Sequence, residues 1–308
     1  MPTPRDLVKR LGLDAPIPAE VNGRSNRLEQ DPAWDAPYHP CPESRDDPAI
    51  PSGTVHKLAD WSASRTYPGT TRDLWLYTPP VLNRRALRLI VFNDGAWYLA
   101  RSGAVRATRV LDTLHARDEI APTAALFVTA GRPSGPVEAP IESYDPRLAQ
   151  RSYEYDRVTR HYGEFIFSEL LPLFERETGT RVSSDPAHRT LCGISSGGIA
   201  AFTAAWHHPD QCRRVLSHCG SFTDIWGGHN LPSLIRRTPR KPLRVFLQSG
   251  SHDADTPFGN WPLANQQMTR ALAWAGYDHR FEYGSGGHSL AHGGAIFADS
   301  LRWLWREP

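Results

Sequence analysis

Short apolar runs alternate with stretches of helical spacing over most of this chain. Residues 87–92 are almost continuously apolar and end in Asn93-Asp94-Gly95, and residues 124–129, 189–194, 214–218 and 243–248 repeat the form. Runs of that length, apolar on both faces and closed by polar or glycine-containing loops, predict central parallel strands. Between them, Val158, Tyr162, Phe165, Ile166, Leu170, Leu173 and Phe174 recur on one face of a predicted helix. Pro172 lies inside that helix and predicts a kink or break near Ser168, because its ring removes a backbone donor. Upstream, residues 55–61 and 72–78 alternate, and the second run closes at Pro79-Pro80, as in two antiparallel edge strands. Strand and helix in alternation predict an α/β fold: a doubly wound, mostly parallel sheet with antiparallel N-terminal edge strands and helices on both faces.

The first fifty residues break the pattern. Pro16, Pro18, Pro32, Pro37, Pro40, Pro42, Pro48 and Pro51 interrupt any period, so residues 1–53 are read as an irregular extension and residues 54–308 as the folded domain. Trp34 and Tyr38 carry enough apolar area to dock the extension, either around its own domain or on the partner subunit of a homodimer. No fixed-period repeat divides the rest, so one domain is the simplest account of 308 residues.

Charge and composition narrow the function. A formal net charge of +2, with arginines scattered along the chain, supplies no concentrated field for nucleic acid or membrane. Residues 1–13 lack the apolar stretch of a secretory signal, and no run approaches about eighteen apolar residues, so a soluble cytoplasmic protein is expected. Cys41, Cys192, Cys212 and Cys219 lack C-x-x-C spacing and are read as free thiols. Cys212, His218 and Cys219 are not read as a metal site, since strand alternation would send His218 and Cys219 to opposite faces. No metal or cofactor is expected.

Residues 191–198 read Leu-Cys-Gly-Ile-Ser-Ser-Gly-Gly, a G-x-S-x-G pattern at a strand end followed by a small-residue helix. Glycines flanking Ser195 let the chain double back, which predicts a serine nucleophile held on a strained strand-to-helix turn. Ser196 in that role would break the glycine spacing. A serine hydroxyl needs a base, a group to orient the base, and donors for an oxyanion. The base assigned is His288, brought to the sheet edge by what reads as a flexible turn over the glycine-rich residues 284–288. The acid is Asp253 or Asp255, after the strand 243–248, with Asp253 favoured. The oxyanion donors assigned are the backbone N–H groups of Ser196 and Ala96.

Neighbouring residues carry secondary assignments. Asp94 is expected to fix its loop through backbone hydrogen bonds rather than meet substrate. Trp97, Trp226 and Trp261, with Tyr98 and Phe258, fall in loops or at helix starts and are candidates for a substrate pocket, about half of them being ordinary packing. Arg151, Tyr153 and Glu154 are placed in a long loop, as a charged cleft or a surface salt bridge. His292 reads as a capping or supporting residue, and His207 and His208 as cations suited to a helix C-terminus.

Taken jointly, 76–79, 93–95, 189–198, Gly220-Ser221-Phe222, Gly259-Asn260-Trp261, Gly286-Gly287-His288-Ser289 and 301–305 resemble the esterase D superfamily, more closely the enterochelin esterase-like α/β-hydrolases. The resemblance spans about residues 54–305. It implies an α/β-hydrolase fold and hydrolysis of a small-molecule carboxylic ester by Ser195 and His288, and it puts the acid within residues 250–255. Enterochelin esterases proper carry an N-terminal β-sandwich, for which residues 1–53 are too short and too proline-rich. Siderophore lactone cleavage and acyl transfer to another acceptor stand as alternatives, and a non-catalytic binding protein is the reading that the intact serine, base and acid argue against.

Overall fold

The computed structural model describes residues 17, 20–25, 28–80, 86–133 and 150–307. Residues 1–13, Pro16 and Pro18 lie outside the described residues. Eight strands form one sheet: β1 Thr54–Trp61, β2 Thr70–Thr78, β3 Arg88–Asn93, β4 Thr123–Val128, β5 Arg189–Ile194, β6 Arg214–His218, β7 Arg244–His252 and β8 Asp278–Gly287. They lie side by side in the order β8-β7-β6-β5-β3-β4-β2-β1, and the two-residue strand Arg132–Pro133 adds to the end of β2. Strands β3 to β8 are parallel, whereas β1 and β2 run antiparallel to their neighbours. Because β3 sits between β4 and β5, the direction of winding reverses there. Crevices for ligands form at that kind of switch point, beyond the carboxyl ends of the strands.

Alternation along the buried strands builds two cores. Leu89, Val91, Leu126, Leu191, Val215, Val245 and Leu247 face one of them. It is closed by Phe165, Phe174, Ile199, Phe202, Ile235, Met268 and Leu272 from the helices of that side. Ile90, Phe92, Phe127, Cys192, Leu216 and Phe246 face the other, under Tyr98, Val110, Leu111, Leu114, Phe297, Leu301 and Leu304. Each of these large side chains contributes about 1.5–3 kcal/mol by leaving water.

The helices are α1 Pro32–Asp35, α2 Gly95–Leu99, α3 Ala107–Ala116, α4 Gln150–Tyr155, α5 His161–Phe165, α6 Leu171–Thr178, α7 Ser196–His207, α8 Leu231–Arg237, α9 Trp261–Trp274, α10 Ala291–Ala295 and α11 Phe297–Trp305. A π-helical turn, Ile166–Leu170, joins α5 to α6 where the sequence predicts a break, and Pro172 stands in the first turn of α6. The π turn lies where the α-helical ladder would need the bond that Pro172 cannot donate. Val158 precedes α5 and lies outside the helix predicted for it. Among the described residues no helix is long and apolar enough to cross a membrane.

Two further expectations change. Cys219 has φ of 47°, which breaks strand alternation and turns it into the core of Leu216 and Phe246. Cys212 lies in the opposite core, so the sheet itself separates those two thiols. His207 ends α7 as expected, yet burial first, then the nearby charge of Lys241, pushes it down to about 4. It is neutral at neutral pH and is no cation for the helix dipole.

His115 and His218 are also held neutral by burial, at about 4 and about 3. The unfolded chain takes up these protons below about pH 6.5, whereas the folded chain resists until pH 3–4, so stability must fall as pH drops through that window. Asp156, pushed up to about 6 by burial, acts with the opposite sign. Urea unfolding at a series of pH values is expected to show this net loss, with a shallower slope in His115→Gln; stability indifferent to pH between about 7 and 4 would contradict it.

Candidate active site

Ser195 is the single residue between β5 and α7, with φ 57° and ψ −124°. Such a conformation costs about 1–3 kcal/mol for a side chain with a Cβ, and the surroundings must hold it. They do so through the backbone: the Ser195 N–H donates to the His218 carbonyl at 2.9 Å, and its carbonyl accepts from Gly198, Ile199 and Ser221. Gly193 is required by close approach, because a Cβ there would strike the Gly197 carbonyl on the returning chain.

His288 is the first residue beyond β8, and Asp253 the first beyond β7. The two strands are parallel and paired as far as His252 opposite Gly287, with a register shift after Gly250, so both residues leave the sheet at the same edge. There the Ser195 hydroxyl lies 2.8 Å from His288 Nε2, and His288 Nδ1 lies 2.5 Å from Asp253 Oδ1. The Asp253 carboxylate is fully buried, and it also accepts from the Ala254 N–H and from the Ser249 hydroxyl. Asp255 is exposed and belongs to a short antiparallel pairing with Asn260. Residues 284–287 are not the flexible turn the sequence suggests; they complete β8, because pairing with β7 continues through the glycines.

Ser221 and Ser249 were missed by the sequence reading. Ser221 Oγ lies 3.2 Å from Ser195 Oγ and accepts the indole N–H of Trp261 at 3.2 Å. Trp261 is buried and stands edge-on to the His288 ring, with centroids 5.9 Å apart. Trp226 and Phe258 pack on Trp261, Ile225 and Ala254, forming an apolar block beside the Asp253 loop. Tyr98 takes no part in it, being buried with its hydroxyl on His218. The signal for Ser221 was its position just after the end of β6, at the same rim as Ser195.

On the other flank, Asp94 opens α2 with φ of 53°, and Gly95 lets the loop lie against the Phe127 backbone, where a Cβ would not fit. Asn93 donates to the Gly197 carbonyl at 2.8 Å, which ties this loop and Ala96 to the first turn of α7. The N–H groups of Ser196 and Gly197 precede the bonds that Gly198 and Ile199 make to the Ser195 carbonyl, and they are the first donors of α7. Arg151 makes a two-pronged pair with the Asp94 carboxylate at 3.0 and 2.7 Å and donates to the Ser196 hydroxyl at 3.0 Å. Asp94 therefore fixes its loop through an ion pair rather than through the expected backbone bonds. Trp97 is 54% exposed, and the Arg151 guanidinium lies 5.8 Å from its ring centre.

Arg151, Tyr153 and Glu154 stand on helix α4, not in a loop. Glu154 is no surface pair either: it binds Arg72 at 2.8 and 3.0 Å with both side chains sealed from solvent. That bond pins α4 to β2 and so aims Arg151 at Asp94. His292 meets Gln248 at the end of β7 at 3.2 Å, and His208 caps the end of α7 with its ring on the Arg160 carbonyl. Among the described residues one set of three prospective metal ligands converges within 4.8 Å, namely Cys219, Asp253 and His288. Two of these are already bonded into the serine chain, and burial pushes the Cys219 thiol far above its usual range, away from the thiolate that binds metals.

A doubly wound, mostly parallel sheet with a serine on the elbow after β5, and histidine and aspartate after its last two strands, defines an α/β-hydrolase fold. The Esterase family model matches residues 66–304, and the chain belongs to that family. It is 28% identical to the iron(III) enterobactin esterase of Dickeya dadantii, over 80% of this chain and 54% of that protein. It is 26% identical to the iron(III) salmochelin esterase of Escherichia coli O6:H1, over 82% of this chain and 59% of that protein. The chain thus spans little more than half the length of these relatives. Among solved structures, enterochelin esterase from Shigella flexneri superposes with a TM-score of 0.64 at 22% identity, covering 90% of this chain and 62% of that one. A ferulic acid esterase superposes at 0.63 and 17% identity, covering 83% and 99%. At these identities the superpositions speak for the fold alone.

The different placement of the two acids gives a direct comparison. Asp253→Asn is expected to lower kcat on an activated ester by roughly three to four orders of magnitude, since the amide would favour the wrong imidazole tautomer. Asp255→Asn is expected to stay within about twofold of the parent chain. Equal losses in steady-state assays would contradict this assignment.

Proposed function

We propose that the chain is a serine esterase acting through an acyl-enzyme on Ser195, with residues 54–308 as its catalytic domain. The observation that carries this reading is the unbroken hydrogen-bonded chain from the Ser195 hydroxyl through His288 to the buried Asp253 carboxylate. Asp253, already accepting two other donors, accepts the Nδ1–H of His288 as a third and leaves Nε2 as the acceptor of the serine proton. As that proton moves, Oγ attacks the ester carbonyl. The resulting oxyanion is held by the N–H groups of Ser196 and Ala96, each worth about 3 kcal/mol of barrier. Collapse expels the alcohol, which takes the proton from His288, and the same imidazole then activates water to release the acid.

Trp261, which reaches Ser221 and the edge of the His288 ring, Trp226, which packs on it, and the exposed Trp97 beside Arg151 are assigned to substrate binding, with a small-molecule carboxylic ester as the substrate class. The names of the curated relatives make iron(III) siderophore lactones the first specific esters to try. Acyl transfer uses the same intermediate and differs only in the acceptor.

Intact-mass spectrometry after treatment with a fluorophosphonate tests the reading. One adduct is expected on the parent chain and none on Ser195→Ala; equal labelling of both would overturn it. Product analysis with added alcohols then separates the acceptors, free acid being expected to form faster than new ester.

A further inference from the structure

The proline-rich segment ahead of the sheet reaches the catalytic base. Helix α1 starts at Pro32 under an Asp31 cap, whose carboxylate accepts the Ala33 N–H at 2.9 Å. The helix and the residues after it lie along the last turn of β8. Strand β8 is the outer strand of the sheet, paired on one side to β7 alone. Its other side presents backbone N–H groups at alternate residues that no strand satisfies. Two of these, at Ser285 and Gly287, are taken by the N-terminal segment: Ser285 N–H donates to the Tyr38 hydroxyl at 2.8 Å, and Gly287 N–H to the Asp35 carboxylate at 3.0 Å. His288 is the next residue.

Other contacts close the grip. The Gln30 amide donates to the His288 carbonyl at 3.4 Å. Trp34 stacks on His252 at 4.9 Å, and His252 Nδ1 donates in turn to the Ser285 carbonyl at 2.7 Å. The Tyr38 ring stacks on His292 at 4.2 Å, four residues beyond the base. The glycines of β8 are fitted to this segment. A Cβ at Gly284 would strike the Tyr38 hydroxyl, one at Gly286 would press on Asp35 and Tyr38 at 3.2 Å, and one at Gly287 would press on Trp34 at 3.2 Å.

We infer that Asp35 and Tyr38 are positioning residues for the catalytic base, holding the glycine-rich end of β8 so that His288 stays at hydrogen-bond distance from Ser195. Three glycines in four residues have more conformational freedom than a run of residues with side chains, and a base needs placement to about 0.5 Å. Pairing with β7 fixes one side of that run, and the segment fixes the other. This inference rests on the esterase reading.

The test uses the full chain, with Asp35→Ala, Asp35→Asn, Tyr38→Phe and the Asp35→Ala/Tyr38→Phe double variant beside Ser195→Ala. Hydrolysis of 4-nitrophenyl acetate, the rate of fluorophosphonate labelling and thermal midpoints are measured on each. The double variant is expected to lose about ten- to a hundredfold in kcat and in labelling rate, with KM within about twofold. Asp35→Asn keeps an oxygen for the Gly287 N–H and is expected to retain most of both rates. A double variant with parental kcat and labelling overturns the inference. So does a loss that Asp35→Asn fully shares and that only follows a fall in thermal midpoint, because that marks a merely structural contact. If Ser195→Ala abolishes turnover while the double variant is untouched, the positioning role alone falls. If Ser195→Ala turns over and labels like the parent, the esterase reading fails and takes this inference with it.

Discussion

The structure depends on one strained residue. Ser195 keeps a backbone conformation that L side chains avoid, and everything around it is arranged so that relaxation would cost more than the strain. Helix α7 starts immediately afterwards and is buried from Ser196 to Trp206, so the elbow cannot open without exposing its aromatic and alanine side chains. The His218 carbonyl on the adjacent strand holds the Ser195 N–H, which ties the elbow to the parallel pairing of β5 and β6. Strand pairing, helix burial and the exposed hydroxyl are therefore one constraint.

The two flanks of that hydroxyl differ in electrostatic character. On the side of the imidazole the carboxylate is sealed, and its partners Ser249, Ala254 and His288 all donate to it, which fixes the imidazole tautomer. On the other side the Asp94–Arg151 pair is partly open to water and braces the loop that carries Ala96 against the helix of Ser196. The buried Arg72–Glu154 bond stands behind it; a pair so enclosed adds little net stability, and its effect is to fix the direction of helix α4.

Much of this was legible in the sequence because it rests on local rules. Apolar runs gave the central strands, glycine spacing gave the elbow, and the positions of Asp253 and His288 after late strands gave the convergence. What escaped depends on contacts between distant segments. The glycines before His288 read as a loose turn because nothing local reveals that β7 pairs along them or that Asp35 and Tyr38 lie against them. Arg151 and Glu154 read as loop residues because α4 is short, and the residue that fixes its place, Arg72 on β2, lies 82 positions before Glu154. His207 read as a cation because burial, which neutralises it, is invisible in a helix-end pattern. Ser249 carries no motif of its own, and Ser221 stands in a stretch shared with the resembled family but has no role assigned by it; both matter through the atoms they touch.

In the proposed reaction one imidazole, that of His288, removes the serine proton within a preformed chain of hydrogen bonds. The direct measurement is the pre-steady-state rate of Ser195 acylation as a function of pH between about 5 and 8, where a histidine changes its charge. With a histidine base the rate is expected to rise as the imidazole loses its proton and then to reach a plateau. A rate independent of pH across that range would contradict it.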